Sequence, residues 1–358
     1  MIPHKPALVQ TFDVTDCQGS EQGQNTRGIW QQQLAGMIRD PAELLETLGL
    51  PTSLLHAATQ GAEQFEVRVP WAFVSRMERG NPSDPLLRQV LPLVDELATA
   101  PSGFVLDPLM EQSANSLPGV IHKYRSRVLL ITNGSCAIHC RYCFRRHFPY
   151  DDNQLGLSDW QASLDSIAKD THVNEIILSG GDPLSSSDAR LFKLLDMIEA
   201  IPQITRIRFH TRLPIVIPDR VTPQLVERLS ASRLKIIMVI HANHANEIDN
   251  HVKRAMDALH SAGLHLLNQS VLLKGVNDHA DALADLSESL FDMNVMPYYL
   301  HLLDPVIGTH HFDVAESIGQ QLIEELLARL PGFLVPKLVR EEAGKRSKSP
   351  IAPFVATN

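Results

Sequence analysis

The chain has 358 residues, of which 44% are hydrophobic and 20% charged. This balance excludes disorder for most of the chain, and the length predicts about two domains. Its 32 Lys and Arg against 41 Asp and Glu give a net charge of −9, which argues against a nucleic-acid partner. No apolar run approaches the roughly 20 residues that span a bilayer, and the start has no signal-peptide core. We therefore expect a cytoplasmic protein with no membrane partner.

Residues 1–125 are predicted to form a helical accessory region. Asp40 is a good N-cap, Pro41 suits the first helical position, and Glu43 stands where a capping box places its acidic residue. Prolines recur through the rest of this region and break it into short pieces, so the predicted helices are short.

From Arg127 onward, short β-branched runs alternate with amphipathic stretches. The predicted strands are 128–132, 175–180, 205–211, 235–241, 265–273 and 295–302. The predicted helices are 158–169, 187–200, 223–231, 245–262, 279–291 and 314–329. Each strand is nearly continuous in apolar residues, as in parallel sheets covered on both faces. Six such units over residues 126–330 indicate either an α/β barrel or a doubly wound sheet.

The segment 331–358 has a different texture. It is rich in proline, basic in its middle and too irregular to predict another β–α unit. Its composition is equally compatible with a solvated chain terminus.

The predicted strands carry polar residues at or near their carboxyl ends, where barrels hold their chemistry. The polar residues lie at 132–136, 179–182, 210–212, 241–244 and 268–270, and the sixth strand runs into His301 and Asp304. Polar residues often end a strand, but six such runs at one end of a barrel predict a functional site.

Three of the four cysteines form a C-x3-C-x2-C pattern at Cys136, Cys140 and Cys143, while Cys17 stands alone and is interpreted as incidental or structural. Clustered thiolates bind soft or borderline metals. Zinc would need a fourth ligand, for which His139 is a candidate. Three cysteines can also hold a 4Fe–4S cluster with one iron open to a further ligand. The spacing favours the iron–sulfur cluster and leaves zinc as the alternative.

This pattern after a first barrel strand, with Tyr142 before the last cysteine, resembles the radical S-adenosylmethionine superfamily. The resemblance implies an incomplete (β/α)6 TIM-like barrel and a 4Fe–4S cluster on the three cysteines. The run Ser179-Gly180-Gly181-Asp182 resembles the superfamily's glycine-rich S-adenosylmethionine motif. The same resemblance implies S-adenosylmethionine contacts from His241 and Gln269.

The match narrows to lysine 2,3-aminomutases and their short relatives that make (R)-β-lysine for elongation factor P. It is carried by RVLLITNGSCAIHCRYCFRRHF, LSGGDPL, NQSVLLKGVND and PYYLHLLD, and extends to SDPLLRQVLP and HKYRSRVLL. The resemblance implies an isomerase that uses pyridoxal 5′-phosphate (PLP) as well as the deoxyadenosyl radical. It further implies an external electron donor, transfer of the product to an elongation factor P ligase, and a homo-oligomer.

The PLP lysine of this family precedes Thr-Pro near the C-terminus. Ser347-Lys348-Ser349-Pro350 resembles that motif, so Lys348 is the expected Schiff-base and catalytic lysine, with Lys345 as the alternative. The segment 331–358 is accordingly expected to carry the PLP site. By the same resemblance, Tyr124, Arg127 and Arg212 are expected in the PLP pocket.

Three further residues match the family's substrate contacts. Arg145 corresponds to the arginine that pairs with the substrate carboxylate. Asp304 and Glu341 correspond to the two carboxylates that receive the distal ammonium of lysine. Two carboxylates would repel glutamate, so lysine is the expected substrate. An aminomutase for another amino acid such as glutamate, or a metal-stabilised binding module without catalysis, are the alternatives.

Overall fold

The computed structural model describes residues 28–111, 114–117, 119–150 and 156–353. Cys17 lies outside the described residues, so its predicted incidental role stays a prediction. No helix in these ranges is long and apolar enough to cross a membrane.

The N-terminal part of the described chain forms short helices, as predicted. These are α1 (Ile29–Ala35), α2 (Pro41–Leu48), α3 (Leu55–Gln64) and α4 (Trp71–Val74), followed by 3-10 turns at Leu87–Gln89 and Val94–Leu97. The backbone N–H of Ala42 donates to the side chain of Asp40 at 2.9 Å, which confirms the N-cap. Helix α2 ends at Gly49, whose φ of 64° is the left-handed conformation that glycine adopts readily.

One sheet of ten strands organises the molecule, and its spatial order follows the chain order. Strands β1 (Asn115–Leu117), β2 (Val120–Tyr124) and β3 (Arg127–Asn133) are antiparallel neighbours. From β3 onward the pairing is parallel through β4 (Glu175–Gly180), β5 (Arg206–Thr211), β6 (Lys235–Ile240), β7 (His265–Val271) and β8 (Met296–His301). The six predicted parallel strands are therefore confirmed.

The connecting helices are α5 (Leu157–Lys169), α6 (Asp188–Glu199), α7 (Leu213–Val216), α8 (Pro223–Ser230), α9 (Asn250–Ser261), α10 (Ala280–Phe291) and α11 (Glu316–Arg329). Helix α9 begins five residues later than predicted because Asp249 caps it, accepting hydrogen bonds from His251 and Val252 backbone N–H groups at 2.8 and 2.9 Å. Strand β1 and the last strand are the two ends of the sheet order. The sheet has the order of an open, incomplete barrel.

Two predictions on element boundaries were wrong. The last part of the region predicted as helical contributes β1 and β2 to the sheet. The segment after residue 331 forms β9 (Lys337–Arg340), which adds a seventh parallel strand beside β8, and β10 (Ser349–Pro350), which pairs with β9. Leu338 and Val339 are each only 2% exposed, so this strand is fixed by burying two side chains, too few to give a periodic pattern.

Candidate functional site

The three cysteines lie on the loop that follows β3, at the carboxyl end of the sheet. All are partly buried, and none is in a disulfide. Burial, reinforced by Cys140, raises the pKa of Cys143 to about 11. Burial also raises the pKa of Cys136, with further contributions from Asp182 and the other two thiols. The three sulfur atoms therefore lie close enough to interact electrostatically.

Within the described residues, no group of three His, Cys, Asp or Glu side chains is arranged around a single metal ion. A cubane cluster binds each cysteine at a different iron, so its ligands need not converge on one point. His139, the candidate fourth zinc ligand, instead stacks on Phe65 and has its Nδ1 2.9 Å from the Glu66 carbonyl oxygen. The donor set of three unpaired thiols fits a cluster better than a tetrahedral zinc ion.

A buried ion-pair group holds this cysteine loop against the N-terminal helices. Arg141 Nε donates to Glu96 Oε1 at 2.8 Å, and Arg146 Nη2 lies 3.2 Å from Glu96 Oε2. The side chains of all three residues are at most 1% exposed. Arg141 also donates to the carbonyl oxygens of Gly61 and Phe65 at the end of α3. Glu96 thus balances two buried cations that flank Cys143, a role that no sequence motif indicated.

The turn after β4 approaches the cysteine loop through two glycines. Gly180 has a φ of 104°, a left-handed conformation that side chains rarely adopt. A Cβ on Gly181 would lie 2.5 Å from the Ser135 carbonyl oxygen and 2.7 Å from the Ser135 nitrogen. The turn can therefore pack directly on β3 and on the cysteine loop because neither position has a side chain; the predicted approach of a ligand to this backbone stays a prediction.

Replacing Gly181 by alanine is expected to displace the loop of Cys136, because the new methyl group would overlap backbone atoms. We expect a loss of about 1–3 kcal/mol in unfolding free energy and weaker S-adenosylmethionine binding by equilibrium dialysis. Gly332→Ala is the matched control, since a Cβ added there would have nothing within 4 Å. Unchanged S-adenosylmethionine binding by Gly181→Ala would contradict the assignment.

Asp182, predicted to contact S-adenosylmethionine, has a structural role in the described fold. Its carboxylate accepts hydrogen bonds from Leu184 N, Thr211 Oγ1, Arg212 N and Leu213 N at 2.6–3.0 Å. Four donors fill the lone-pair sites of a carboxylate. Asp182 therefore ties the end of β4 to the end of β5, and the predicted ligand contact by its side chain is not supported by this placement.

Arg212 lies beside the cysteine loop, although the resemblance implied a PLP-pocket role. Its Nη1 is 2.8 Å from Cys140 Sγ and 2.8 Å from Tyr142 Oη, and its Nη2 donates to Gln89 and to Glu247. These partners engage both Nη atoms of Arg212 beside the cysteine loop, whereas its Nε has no hydrogen-bond partner among the described residues. None of these partners is a contact of Lys348, so they do not support the predicted contact of Arg212 with the PLP phosphate.

His241 and Gln269, the other predicted S-adenosylmethionine contacts, lie on the same side of the sheet. His241 Nε2 is 2.8 Å from Tyr142 Oη, and the two rings stack with centroids 5.6 Å apart. Burial, with the nearby charge of Arg212, lowers the pKa of His241 to about 3, so the imidazole is neutral. Gln269 on β7 pairs in register with Tyr299 on β8. Both contacts stay predictions.

A chain of alternating charges crosses the other half of the site. The Lys348 ammonium is ion-paired with Glu341 Oε2, and Lys123 Nζ lies 3.2 Å from both Glu341 Oε1 and Glu111 Oε1. Glu111 in turn accepts from Arg145 Nε at 2.7 Å and Nη2 at 2.9 Å. Burial acts to raise the pKa of Glu341, but Lys348 and Lys123 lower it to about 2. Three cations thus alternate with two carboxylates.

Tyr124 and Arg127 lie next to this chain of charges, and their role in the PLP pocket stays a prediction. Tyr124 Oη donates to Glu341 Oε1 at 3.4 Å, and the Arg127 guanidinium lies 4.2 Å from the centre of the Tyr124 ring. Lys348 Nζ is 6.0 Å from the centre of the Tyr299 ring. Lys345, the alternative lysine, is exposed, whereas Lys348 is largely enclosed.

Two partly buried imidazoles in the electrostatic neighbourhood of Lys348 each have a buried ring nitrogen without a hydrogen-bond partner among the described residues, Nε2 of His210 and Nε2 of His301. Burial lowers the pKa of both rings, and the charge of Lys348 acts in the same direction. Buried polar atoms normally have partners. An oxygen-rich ligand such as PLP would supply acceptors to these nitrogens, so the residues around Lys348 fit that cofactor.

Asp304 completes the predicted substrate contacts. Burial, with a further contribution from Glu341, raises its pKa to about 7. Lys348 and Lys123 act in the opposite direction. Asp304 therefore lies in the electrostatic neighbourhood of Glu341 and Lys348, and its contact with the substrate ammonium stays a prediction.

Sequence reasoning missed Glu111, Lys123, Glu96, Gln89 and Glu247. Their partners are distant in sequence, and most of the five lie outside the motifs that mark the site. Lys123 had a usable signal, since it immediately precedes Tyr124 in the run HKYRSRVLL.

Comparison with known proteins adds an independent observation. Residues 130–286 match the family model of the radical SAM superfamily. The chain is 51% identical over 327 residues to an L-lysine 2,3-aminomutase of Escherichia coli (strain K12), covering 91% of this chain and 95% of that protein. An L-lysine 2,3-aminomutase of Haemophilus influenzae is 46% identical over 89% and 94% of the two chains. One of Clostridium subterminale is 33% identical over 90% and 78%.

Proposed function

Because this chain belongs to the L-lysine 2,3-aminomutase family of the radical S-adenosylmethionine superfamily, we propose that it converts L-lysine to β-lysine. It is then an isomerase that moves an amino group between neighbouring carbons. The observation that carries the proposal is the run of ion pairs that begins at the buried Arg145 and ends at Lys348, where Glu341 is the partner of the lysine and Asp304 lies in the same electrostatic neighbourhood.

The proposal assigns each end of the substrate to a charge of opposite sign. Arg145 binds the α-carboxylate, because a guanidinium can hold a carboxylate with two hydrogen bonds. Asp304 and Glu341 bind the distal ammonium. Glu341 is the partner of the Lys348 ammonium in the described structure, and it becomes available to the substrate ammonium once Lys348 carries the cofactor. A second substrate carboxylate in place of that ammonium would be repelled, which disfavours glutamate.

The cofactors are a 4Fe–4S cluster, S-adenosylmethionine and PLP. When bound, the cluster and S-adenosylmethionine supply a carbon-centred radical that removes a hydrogen atom, and PLP supplies the π system for the amino shift. Cys136, Cys140 and Cys143 would hold the cluster, and the backbone at Ser179, Gly180 and Gly181 would face the methionine moiety. Lys348 would hold PLP, with Tyr124 and Arg127 beside it.

Four further aspects extend the proposal beyond the reaction. The cluster must be reduced, so an external electron donor is required. We also propose that the β-lysine is the (R) isomer and is passed to a ligase that modifies elongation factor P, with the enzyme acting as a homo-oligomer. The support for these points is the resemblance of the sequence motifs to the short aminomutases that supply elongation factor P. The three-part division at residues 125 and 330 remains part of the same proposal.

The direct test supplies the anaerobically reconstituted enzyme with S-adenosylmethionine, PLP and a strong reductant. Lysine, glutamate and arginine are offered separately, and the products are separated by chiral chromatography. We expect β-lysine from lysine and no β-glutamate. Formation of β-glutamate without β-lysine would overturn the substrate assignment, and a colourless protein that retains zinc would overturn the radical chemistry.

Lysine binding is expected to strengthen as pH rises from 6 to 8. Asp304, with its pKa near 7, is mostly protonated at pH 6 and mostly ionised at pH 8, whereas the lysine side chain stays charged throughout. For a single group with that pKa, the ionised fraction of Asp304 rises about tenfold between pH 6 and pH 8. KM for lysine should fall accordingly in wild type, and Asp304→Asn should have a higher KM that no longer changes over this interval.

The ionisation of Asp304 also changes the free energy of unfolding, which should decrease as pH rises, whereas lysine binding strengthens. Because the pKa of Asp304 is higher in the folded state than in the unfolded chain, the folded state holds the proton more tightly between about pH 4 and 7. Unfolding free energy should decrease through that interval in wild type and decrease less in Asp304→Asn. Urea unfolding of the substrate-free protein at each pH measures the difference.

A further inference from the structure

Glu111 is a buried carboxylate in the loop between the N-terminal helices and β1, and no sequence motif predicted a role for it. It is 3% exposed. Its Oε2 accepts from Arg145 Nε at 2.7 Å, and its Oε1 accepts from Arg145 Nη2 at 2.9 Å and from Lys123 Nζ at 3.2 Å. Burial acts to raise the pKa of Glu111, but Arg145 and Lys123 outweigh it and the pKa lies below its usual value. Glu111 is therefore ionised.

The two hydrogen bonds to Glu111 use one particular edge of the Arg145 guanidinium, the edge formed by Nε and Nη2. Nη1 donates to Ser179 Oγ at 3.2 Å. A guanidinium has five N–H donors, and these contacts use three of them. One N–H on Nη1 and one on Nη2 make no hydrogen bond to the described residues. These two nitrogens form the distal edge of the guanidinium. That edge can accept a carboxylate with two parallel hydrogen bonds.

We propose that Glu111 is a positioning residue. It holds Arg145 by the edge formed by Nε and Nη2, and so presents the distal edge to the α-carboxylate of the amino acid substrate. This inference rests on the proposed function, because it assumes an amino acid bound at Arg145. Glu111 itself does not touch the substrate.

Two physical consequences support this division of the guanidinium. A buried arginine without a fixed counter-ion would carry an uncompensated charge in the empty enzyme, and Glu111 provides that counter-ion at all times. Long arginine side chains also lose rotamer entropy when a ligand orders them, and a preformed bidentate contact removes most of that loss from the binding step. Lys123 connects Glu111 to Glu341, so both ends of the substrate site share one scaffold of charges.

The opposite hypothesis is that Glu111 occupies the place of the substrate carboxylate and must be displaced. The two hypotheses predict opposite signs. If Glu111 orients Arg145, its removal weakens binding of a carboxylate-bearing ligand. If Glu111 competes, its removal strengthens that binding.

The test compares lysine with 1,5-diaminopentane, which has both amines of lysine but no carboxylate. Equilibrium dissociation constants are measured calorimetrically on the fully reconstituted enzyme without reductant, so that no turnover occurs. Variants are Glu111→Gln, Glu111→Asp and, as matched control, Glu342→Gln, an exposed carboxylate near Lys348.

We expect Glu111→Gln to weaken lysine binding about tenfold to a hundredfold, the range for losing a charge-assisted contact, while 1,5-diaminopentane binds within about twofold of wild type. Glu111→Asp should recover part of the loss, and Glu342→Gln should match wild type for both ligands. In turnover assays the loss should fall mainly on KM, with kcat changing less.

Three results would overturn the inference. Tighter lysine binding by Glu111→Gln would show competition, unchanged binding would show no role, and equal weakening of both ligands would show general damage to the site. A wild-type enzyme that does not prefer lysine to 1,5-diaminopentane would instead overturn the proposed function, and this inference with it.

Discussion

Replacement of Lys348 by alanine is expected to lower β-lysine formation at least about a thousandfold, equivalent to about 4 kcal/mol of transition-state stabilisation. The physical reason is that Lys348 is ion-paired with Glu341 and acts electrostatically on His210 and His301, whose Nε2 atoms have no hydrogen-bond partner in the described part of the chain. The visible absorbance of covalently bound PLP should disappear in the same variant.

Two further variants separate covalent attachment from charge. Lys348→Arg keeps a cation opposite Glu341 but cannot bind PLP covalently, so it should be as inactive as the alanine variant while unfolding closer to wild type. Lys345→Ala removes an exposed lysine three residues away and should retain both absorbance and activity. Loss of the PLP band in Lys345→Ala, with retention in Lys348→Ala, would transfer the attachment site to Lys345.

Replacement of Glu96 by glutamine is expected to destabilise the apoprotein by about 3–5 kcal/mol, because it leaves Arg141 and Arg146 as uncompensated buried cations. Breaking a buried pair costs this much even where the intact pair adds little net stability. Since both arginines flank the last cysteine of the loop, iron content after reconstitution should fall as well. Urea unfolding under reducing conditions and iron analysis measure the two effects.

The chain offers a matched control in Glu66. Its side chain is 66% exposed and pairs with Arg68, so Glu66→Gln should cost under about 1 kcal/mol and should leave iron content unchanged. If Glu96→Gln behaved like Glu66→Gln in both measurements, the buried group could not be what fixes the cysteine loop.

The sequence was sufficient for the parts of the fold whose signal is local. Strands β3, β4 and β6 contain nearly continuous apolar runs, β5 and β7 alternate in burial, and the helices between the strands have one buried face, so the type of these elements followed from periodicity. Strand β9 was not predicted, because four residues with two buried side chains are too few to show a periodic pattern. Strands β1 and β2 were not predicted either, because they lie in a region that is interrupted by prolines and was predicted to be helical.

The candidate site divides along the same line. The cysteine loop and Lys348 could be selected as candidates from the sequence because each belongs to a short contiguous motif. Glu111 and Arg145 are 34 residues apart, Glu96 and Arg141 are 45 apart, and Lys123 and Glu341 are 218 apart. Such pairs are created only when the sheet brings distant segments together. Arg212 differs from these pairs: the family resemblance implied a place in the PLP pocket, whereas packing puts its side chain beside Cys140 and Tyr142.

The strictly sequential order of the sheet has a consequence for how the enzyme matures. Each new strand adds beside the one made just before it, so the sheet can grow in the direction of synthesis, with the N-terminal part folding first. Lys348 stands next to β10, the last strand in the order. The cysteine loop can therefore be complete while the lysine is still absent. We expect cluster insertion to be possible before PLP can be retained, which makes capture of PLP the final step in assembling the active enzyme.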